Sequence, residues 1–411
     1  MVYMGEEYTV RGWRSAHNEV ASMMRQSLFA LMVCAIGDLV AGLSLGVFSS
    51  YLELIPGLLV LVPAAIDMRG NVYASLGSRL GTYLHTGELS PELKERTILN
   101  QLVLASFSQT IALSVLLALL AKAITLAIGI PSVGVAMLMM ISVLGGVLAA
   151  LVMLTSTVLI ATRSVLRGWD PDNITTPLIT AIGDLVTIPM LLLAAYVVLR
   201  LQSVLDALAV LVLAVCAVGL ATSMRRRHPI SRSIIVQSIP ILTVCALLST
   251  FAGVFLEHKL EALLMYTSLF LLIPSLNEEA GNLGSILAAR LSSSHRMGII
   301  RIHGAPDAQV LLSSLALILL GMVMFPMLGV LVHIISPVFG LTTPGLVQLV
   351  VLSTVVGMVV ALLSNVVAYY LTFLSIRYRV DPDNAVIPLL TSTMDFITTG
   401  VLMFFVSHFV G

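Results

Sequence analysis

Two blocks of twenty residues, DPDNITTPLITAIGDLVTIP (170–189) and DPDNAVIPLLTSTMDFITTG (381–400), repeat one another at an offset of 211 residues, with nine positions identical. A second pair keeps that offset: PAAIDMRGNVYASLGSRL (63–80) and PSLNEEAGNLGSILAARL (274–291). There Pro63, Gly70, Asn71, Leu76, Arg79 and Leu80 recur as Pro274, Gly281, Asn282, Leu287, Arg290 and Leu291. One unchanging offset across two separate blocks marks a duplicated structural unit. Any fold for this chain must be built twice.

What is duplicated is strongly apolar. Hydrophobic residues make up 58% of the 411, charged residues only 10%, and the mean hydropathy is +1.05. Soluble domains carry about a quarter of their residues as charges. Apolar runs of about 20 residues, enough to cross the hydrocarbon core, recur from residue 27 onward. The expected class is an all-α polytopic membrane protein, with the lipid bilayer as its solvent. The net charge of zero gives no basic surface for nucleic acid. Cys34, Cys216 and Cys245 fall in apolar runs without paired spacing and read as packing residues. Residues 1–26 carry scattered charges and no signal-peptide core; they read as a cytosolic or interfacial segment.

Each unit contains five hydrophobic spans. They lie near 27–49, 54–80, 98–128, 134–161 and 175–199, then near 236–256, 262–291, 309–335, 346–374 and 387–409. Because five is odd, two directly joined units would sit inverted. A further span, VLDALAVLVLAVCAVGLATS (204–223), belongs to neither and restores the parity. The expectation is therefore eleven spans in two parallel repeats, 27–201 and 225–411, joined by a linking helix at 202–224. With the N-terminus inside and the C-terminus outside, seventeen Lys and Arg residues face the cytoplasm. Lys122, Arg200 and Lys259 face out, and Arg69 stays within a span. Both DPDN motifs then lie on the cytoplasmic side.

The polar residues inside the spans carry the chemistry. Asp184 lies about ten residues into its span, roughly 15 Å deep. An ionised Asp there costs about 2.5–3.5 kcal/mol unless it faces water or a cation. Thr180 and Thr187 share its helical face, and the second copy repeats the stripe as Thr391, Asp395 and Thr398. Two such helices around one axis would aim two carboxylates at a common centre, with the threonines lining the pore. Arg69 is an alternative partner for one of them. A second stripe pairs Asp67 with Asn71 and Glu278 with Asn282, four residues apart in each case, and Glu279 is an extra acid with no counterpart. The Gly before each Asn, with Pro63 or Pro274 upstream, suggests a broken or closely packed helix; hydrogen-bonding glue between helices is the plainer reading of the Asn residues. Asp170, Asp172, Asp381 and Asp383 form a ring of acids at the cytosolic mouth, while Asn173 and Asn384 suit helix caps. All these donors are oxygen, and no HxxxH or CxxC motif is present, so Mg2+, Mn2+ and Ca2+ fit better than zinc or copper. No HExxH or GxSxG arrangement suggests an enzyme.

With both Gly-Asn pairs and their downstream Arg79 and Arg290, and both DPDN…P…T…D blocks ending in Asp184 and Asp395, the chain resembles the MgtE-type magnesium transporter family. The likeness is closest to the solute-carrier relatives in which two such domains are fused. The resemblance implies a five-helix domain paired about a central pore, with Asp184 and Asp395 as magnesium ligands. It also implies a single-chain pseudo-dimer passing Mg2+, or Mn2+ or Ca2+, across the plasma membrane. Asp67 and Glu278 lie outside the family pattern. They leave open an exchanger coupled to Na+ or H+.

Overall fold

The computed structural model describes residue 28 and residues 31–409, apart from 91, 93, 168–170, 297–304 and 379–381. Among these residues every regular element is helical. The first repeat contains α1 (Leu31–Val47), α2 (Ser49–Leu54), α3 (Leu58–His85), α4 (Arg96–Ile128), α5 (Val135–Leu166) and α6 (Pro171–Arg200). After α7 (Leu205–Ser223) come α8 (Pro229–His258), α9 (Leu260–Met265), α10 (Leu269–Arg296), α11 (Ala308–Val338), α12 (Leu346–Arg377) and α13 (Pro382–Phe409). The limits of α3, α5 and the start of α6 shift by 211 residues onto those of α10, α12 and α13. The offset read from short motifs therefore holds for the backbone.

Among the described residues, eight helices are long and apolar enough to cross a membrane: α4 to α8 and α11 to α13. Helices α3 and α10 have 28 residues each but carry the polar stripes, and α1 is a shorter apolar helix. Three of the eleven expected spans therefore fall on helices that are not among those eight. The short helices α2 and α9 were not anticipated; α2 fills the gap between the first and second expected spans, and α9 straddles the start of the span expected at 262–291.

Helices α3, α5 and α6 pack together in one half, as do α10, α12 and α13 in the other. The first helix of each repeat crosses to the opposite half. Helix α8 packs on α3 and α4 as well as on α13, and Gly253 of α8 rides on the backbone of Val60 in α3. Gly42 of α1, its counterpart at the same offset, rides on Phe270 and Leu271 of α10, where an added Cβ would meet the Leu271 Cα at 2.6 Å. Glycine is required at both places because the helix axes come closer than any side chain permits. At the end of α8 the Glu257 carboxylate accepts a hydrogen bond from the Gly57 amide at 2.7 Å, satisfying a donor at the start of α3.

Helix α7 stands apart from this core. Only Ala209 and Ser223 along it are buried, and Val210, Leu211, Val215 and Val218 are exposed. It is tied to α4 by the Ser108 hydroxyl, 2.7 Å from that of Ser223 and 3.3 Å from the Gly219 carbonyl oxygen. Such an apolar, outward-facing helix suits lipid contact.

The DPDN motifs depart from expectation. Helices α6 and α13 begin at Pro171 and Pro382, so Asn173 and Asn384 lie in the first turn and not at the caps. Proline suits the first helical position because its missing N–H is one that would lack a partner anyway. The preceding residues, Asp170 and Asp381, lie outside the described residues.

Candidate metal centre

The polar stripes of α3 and α10 run along unbroken helices. Pro63 and Pro274 lie inside continuous helices, so the broken-helix alternative does not hold. The glycines face the neighbouring helix, where an added methyl group would still meet it at ordinary contact distance. An added Cβ would lie 3.8 Å from Thr180 Cγ2 at Gly70 and 3.4 Å from Thr391 Cγ2 at Gly281. Helix α6 thus lies flush on α3, and α13 on α10, bringing the Asp184 and Asp395 stripes beside the Asp67 and Glu278 stripes.

Asp184 is buried and Asp395 half-buried. Thr187 and Thr398, three residues further along, are buried with hydroxyls that have no hydrogen-bond partner. Thr391 donates back to its own helix, to the Ile387 or Pro388 carbonyl at 3.2 and 3.1 Å. Asp67 and Glu278 are the acids whose charge bears most on Asp395. Arg69 is not a partner of Asp184 or Asp395. Its guanidinium is buried, donating to the Ala65 carbonyl at 2.7 Å, the Ser142 carbonyl at 3.1 Å and the Ser114 hydroxyl at 3.4 Å, and it forms no ion pair among the described residues.

Asp67 is the best-satisfied acid of the region. Its Oδ2 accepts from the Ser249 hydroxyl of α8 and the Ser392 hydroxyl of α13, each at 2.6 Å, and its Oδ1 accepts from Asn71 at 2.8 Å. Both hydroxyls come from the other repeat. Glu278 occupies the matching place in α10 and is half-buried with Asn282 one turn on, but its half has Ala181 where the first has Ser392.

Sequence reading missed Asp38. It lies in α1 at the position matching Ser249 and is fully buried, with its carboxyl in hydrogen-bonding reach of the Asp184 carboxyl. Glu279, noted from sequence only as an extra acid, is likewise fully buried with both oxygens unpartnered. The signal for Asp38 was present: Cys34, Ala35, Gly42 and Leu45 recur at the same offset as Cys245, Ala246, Gly253 and Leu256. Among the described residues no three His, Cys, Asp or Glu side chains already form a cage for a bare ion. A cavity of about 70 Å3, lined by Asn71, Ser75, Arg79, Gln109 and Gln237, opens beside the Asp67 stripe and has room for water. Asp170 and Asp381 of the expected mouth, and the side chains of Asp172 and Asp383, lie outside the described residues.

A family model for MgtE, described as a divalent cation transporter, matches residues 62–194 and 273–405. The chain belongs to the MgtE divalent cation transporter family. The two matched segments are themselves 211 residues apart, so the family unit and the internal repeat are the same object. This MgtE-family chain is also 26% identical over 428 residues to solute carrier family 41 member 3 of Rattus norvegicus, covering 95% of the chain and 88% of the relative. It is 25% identical over 323 residues to solute carrier family 41 member 2 of Gallus gallus, covering 73% of the chain. The chain spans about half the length of the member 2 relatives it matches, 53% for the chicken protein and 50% for that of Mus musculus. No solved structure matches the MgtE-family chain. The family is one of transporters and not of enzymes, in keeping with the multi-pass helices.

Proposed function

We propose that the chain carries a divalent cation, Mg2+ foremost, across the plasma membrane along the axis between its two repeats. The observation that carries this reading is the pair Asp184 and Asp395, at matching positions of a duplicated unit. A single polypeptide then supplies both halves of what is chemically a dimer. Mg2+ gives up its water reluctantly, so a site with few converging carboxylates suits an ion that keeps part of its hydration shell. The two aspartates supply charge, the free hydroxyls of Thr187 and Thr398 are available to hydrogen-bond that shell, and Thr180 and Thr391 continue the stripe. Asp67, Glu278, Asn71 and Asn282 flank it, and the polar cavity beside Asn71 supports a wet approach. Mn2+ and Ca2+ share the same ligand chemistry. The N-in, C-out arrangement of eleven spans, with the DPDN acids at the cytosolic mouth, follows from the distribution of Lys and Arg.

The test is Mg2+ flux into proteoliposomes under a potassium-diffusion potential. Exchanging both Asp184 and Asp395 for Asn should lower flux by roughly a hundredfold, the equivalent of about 3 kcal/mol at charge-assisted ligands. Undiminished flux would remove the central-site reading. A second reading, exchange coupled to Na+ or H+, is favoured by one observation: Asp67 is held by three hydrogen bonds while Glu278 faces a different environment. Under that reading Mg2+ flux requires an opposed Na+ or H+ gradient; under the channel reading it follows voltage alone.

A further inference from the structure

The cavity beside Asn71, about 70 Å3, lies on the seam between the two repeats. Helices α3 and α4 supply Asn71, Ser75, Arg79 and Gln109 to its wall, and α8 supplies Gln237 and Ser238. The polar lining is thus one guanidinium, three amides and two hydroxyls, with no carboxylate. Arg79 is half-buried and forms no ion pair or side-chain hydrogen bond among the described residues. Gln109 is buried, and its amide likewise has no hydrogen-bond partner among them. Asn71 turns its Nδ2 to the Asp67 carboxylate at 2.8 Å. Asp67 itself precedes Arg79 by twelve residues on the same helix, roughly 18 Å along the axis.

A guanidinium withdrawn from bulk water without a counter-charge is costly, and an unmade amide hydrogen bond adds to that cost. The arrangement is also one-sided. At the positions matching Ser75 and Gln109 the second repeat has Ile286 and Leu320, so two polar wall positions of one half are aliphatic in the other.

We propose that this cavity binds a small oxyanion of the phosphate type at its Arg79 end. Arg79 is the counter-charge, and Gln109 of one repeat and Ser238 of the other are hydrogen-bond donors. The guanidinium fork matches two oxygens of one phosphate. A nucleotide is excluded by size, since pockets for ligands of that class run from about 300 Å3 upward. Arg79 stands six residues before His85, the end of α3, so the phosphate comes from solution or from the headgroup of a lipid on that side. Bound there, the anion ties α3 and α4 to α8. It also offsets the positive charge that Arg79 sets beside the wet approach to Asp67. That last consequence rests on the transport reading of Asp184 and Asp395; the binding itself does not.

The test is a calorimetric titration of the purified full-length chain with inorganic phosphate alone, in Mg2+-free detergent solution. One phosphate should bind per chain. Gln109→Leu, which installs the residue the other repeat carries, should weaken it by about tenfold, and Arg79→Gln by more. Arg226→Gln, at an exposed arginine in the turn before α8, should leave it unchanged. Should Arg79→Gln fail to fold, Gln109→Leu carries the test. Repeating the titration in phosphatidylcholine nanodiscs with and without phosphatidic acid separates the two sources. Phosphate binding blocked by phosphatidic acid upholds the site with a lipid headgroup as occupant, and binding that persists upholds it with the free anion. No phosphate binding overturns the proposal. So does binding that is indifferent to Gln109→Leu and Arg79→Gln, or that falls equally with Arg226→Gln. With no Mg2+ present, each result is independent of whether Asp184 and Asp395 hold the transported ion.

Discussion

Gly253 of α8 lies against Val60 of α3 so closely that a methyl group on it would overlap the Val60 carbonyl oxygen. Gly42 stands in the same relation to Leu271 of α10. Each repeat is therefore locked to the other by the absence of a side chain, twice, at symmetric points. The exchange of first helices also delivers Ser249 to Asp67 and brings Asp38 among the acids of the opposite half.

Gly253→Ala and Gly42→Ala should each destabilise the protein by about 1–3 kcal/mol, because the obstruction is backbone and cannot move aside. Gly134→Ala is the control, since an added Cβ there meets nothing within 4 Å and its φ of −58° is ordinary. Thermal unfolding of the detergent-solubilised protein should show clear losses for the first two and little change for the third.

Ser249→Ala and Ser392→Ala each remove a hydrogen bond to the same Asp67 oxygen. Bonds to a charged group are worth about 1.5–3 kcal/mol each. Since Oδ2 is shared, the double variant should lose a different amount from the sum of the singles, and a double-mutant cycle measures the coupling. Additive losses would mean that the two hydroxyls act independently.

Arg69→Lys should cost about 1–3 kcal/mol despite keeping the charge. The guanidinium fork reaches the Ala65 carbonyl of α3 and the Ser142 carbonyl of α5 together, which a single ammonium cannot copy. Gly146→Ala should be comparably harmful, because its Cβ would lie 2.6 Å from Arg69 Nη2 and 2.5 Å from Ser114 Oγ. Both are read by the unfolding temperature at fixed detergent and pH.

In the loop before α4, the amide and hydroxyl of Ser90 donate to Glu95 at 2.7 and 2.8 Å and hold its carboxyl below the usual glutamate range. A depressed folded-state pKa gives stability that is present above the unfolded value and lost as pH falls through the folded one. Glu95→Gln should therefore flatten the acid side of the stability profile and leave the neutral side little changed apart from a constant offset. The measurement is unfolding temperature against pH for both proteins.

The repeat, the helical class and the placing of Asp184, Asp395, Asp67 and Glu278 on long helices were legible in the sequence. A fixed offset and long apolar runs survive without knowledge of contacts, and an acid in such a run stands out. Whether α3 and α10 break or continue through Gly70 and Gly281 was not legible, because proline in a sequence is compatible with both and only the packed neighbours decide. The cap role given to Asn173 and Asn384 failed for a local reason: proline at the first described helical position puts the helix start three residues earlier.

Sequence by itself determined that this chain is a duplicated helical membrane protein, since composition, period and offset are properties of the chain alone. Tertiary structure decided which acids meet hydroxyl donors and which meet other acids. Asp67 and Asp38 differ little as letters in apolar runs. One meets hydroxyls from the opposite repeat while the other meets only carboxylates, because that difference depends on which residues the crossing helices bring within hydrogen-bonding distance.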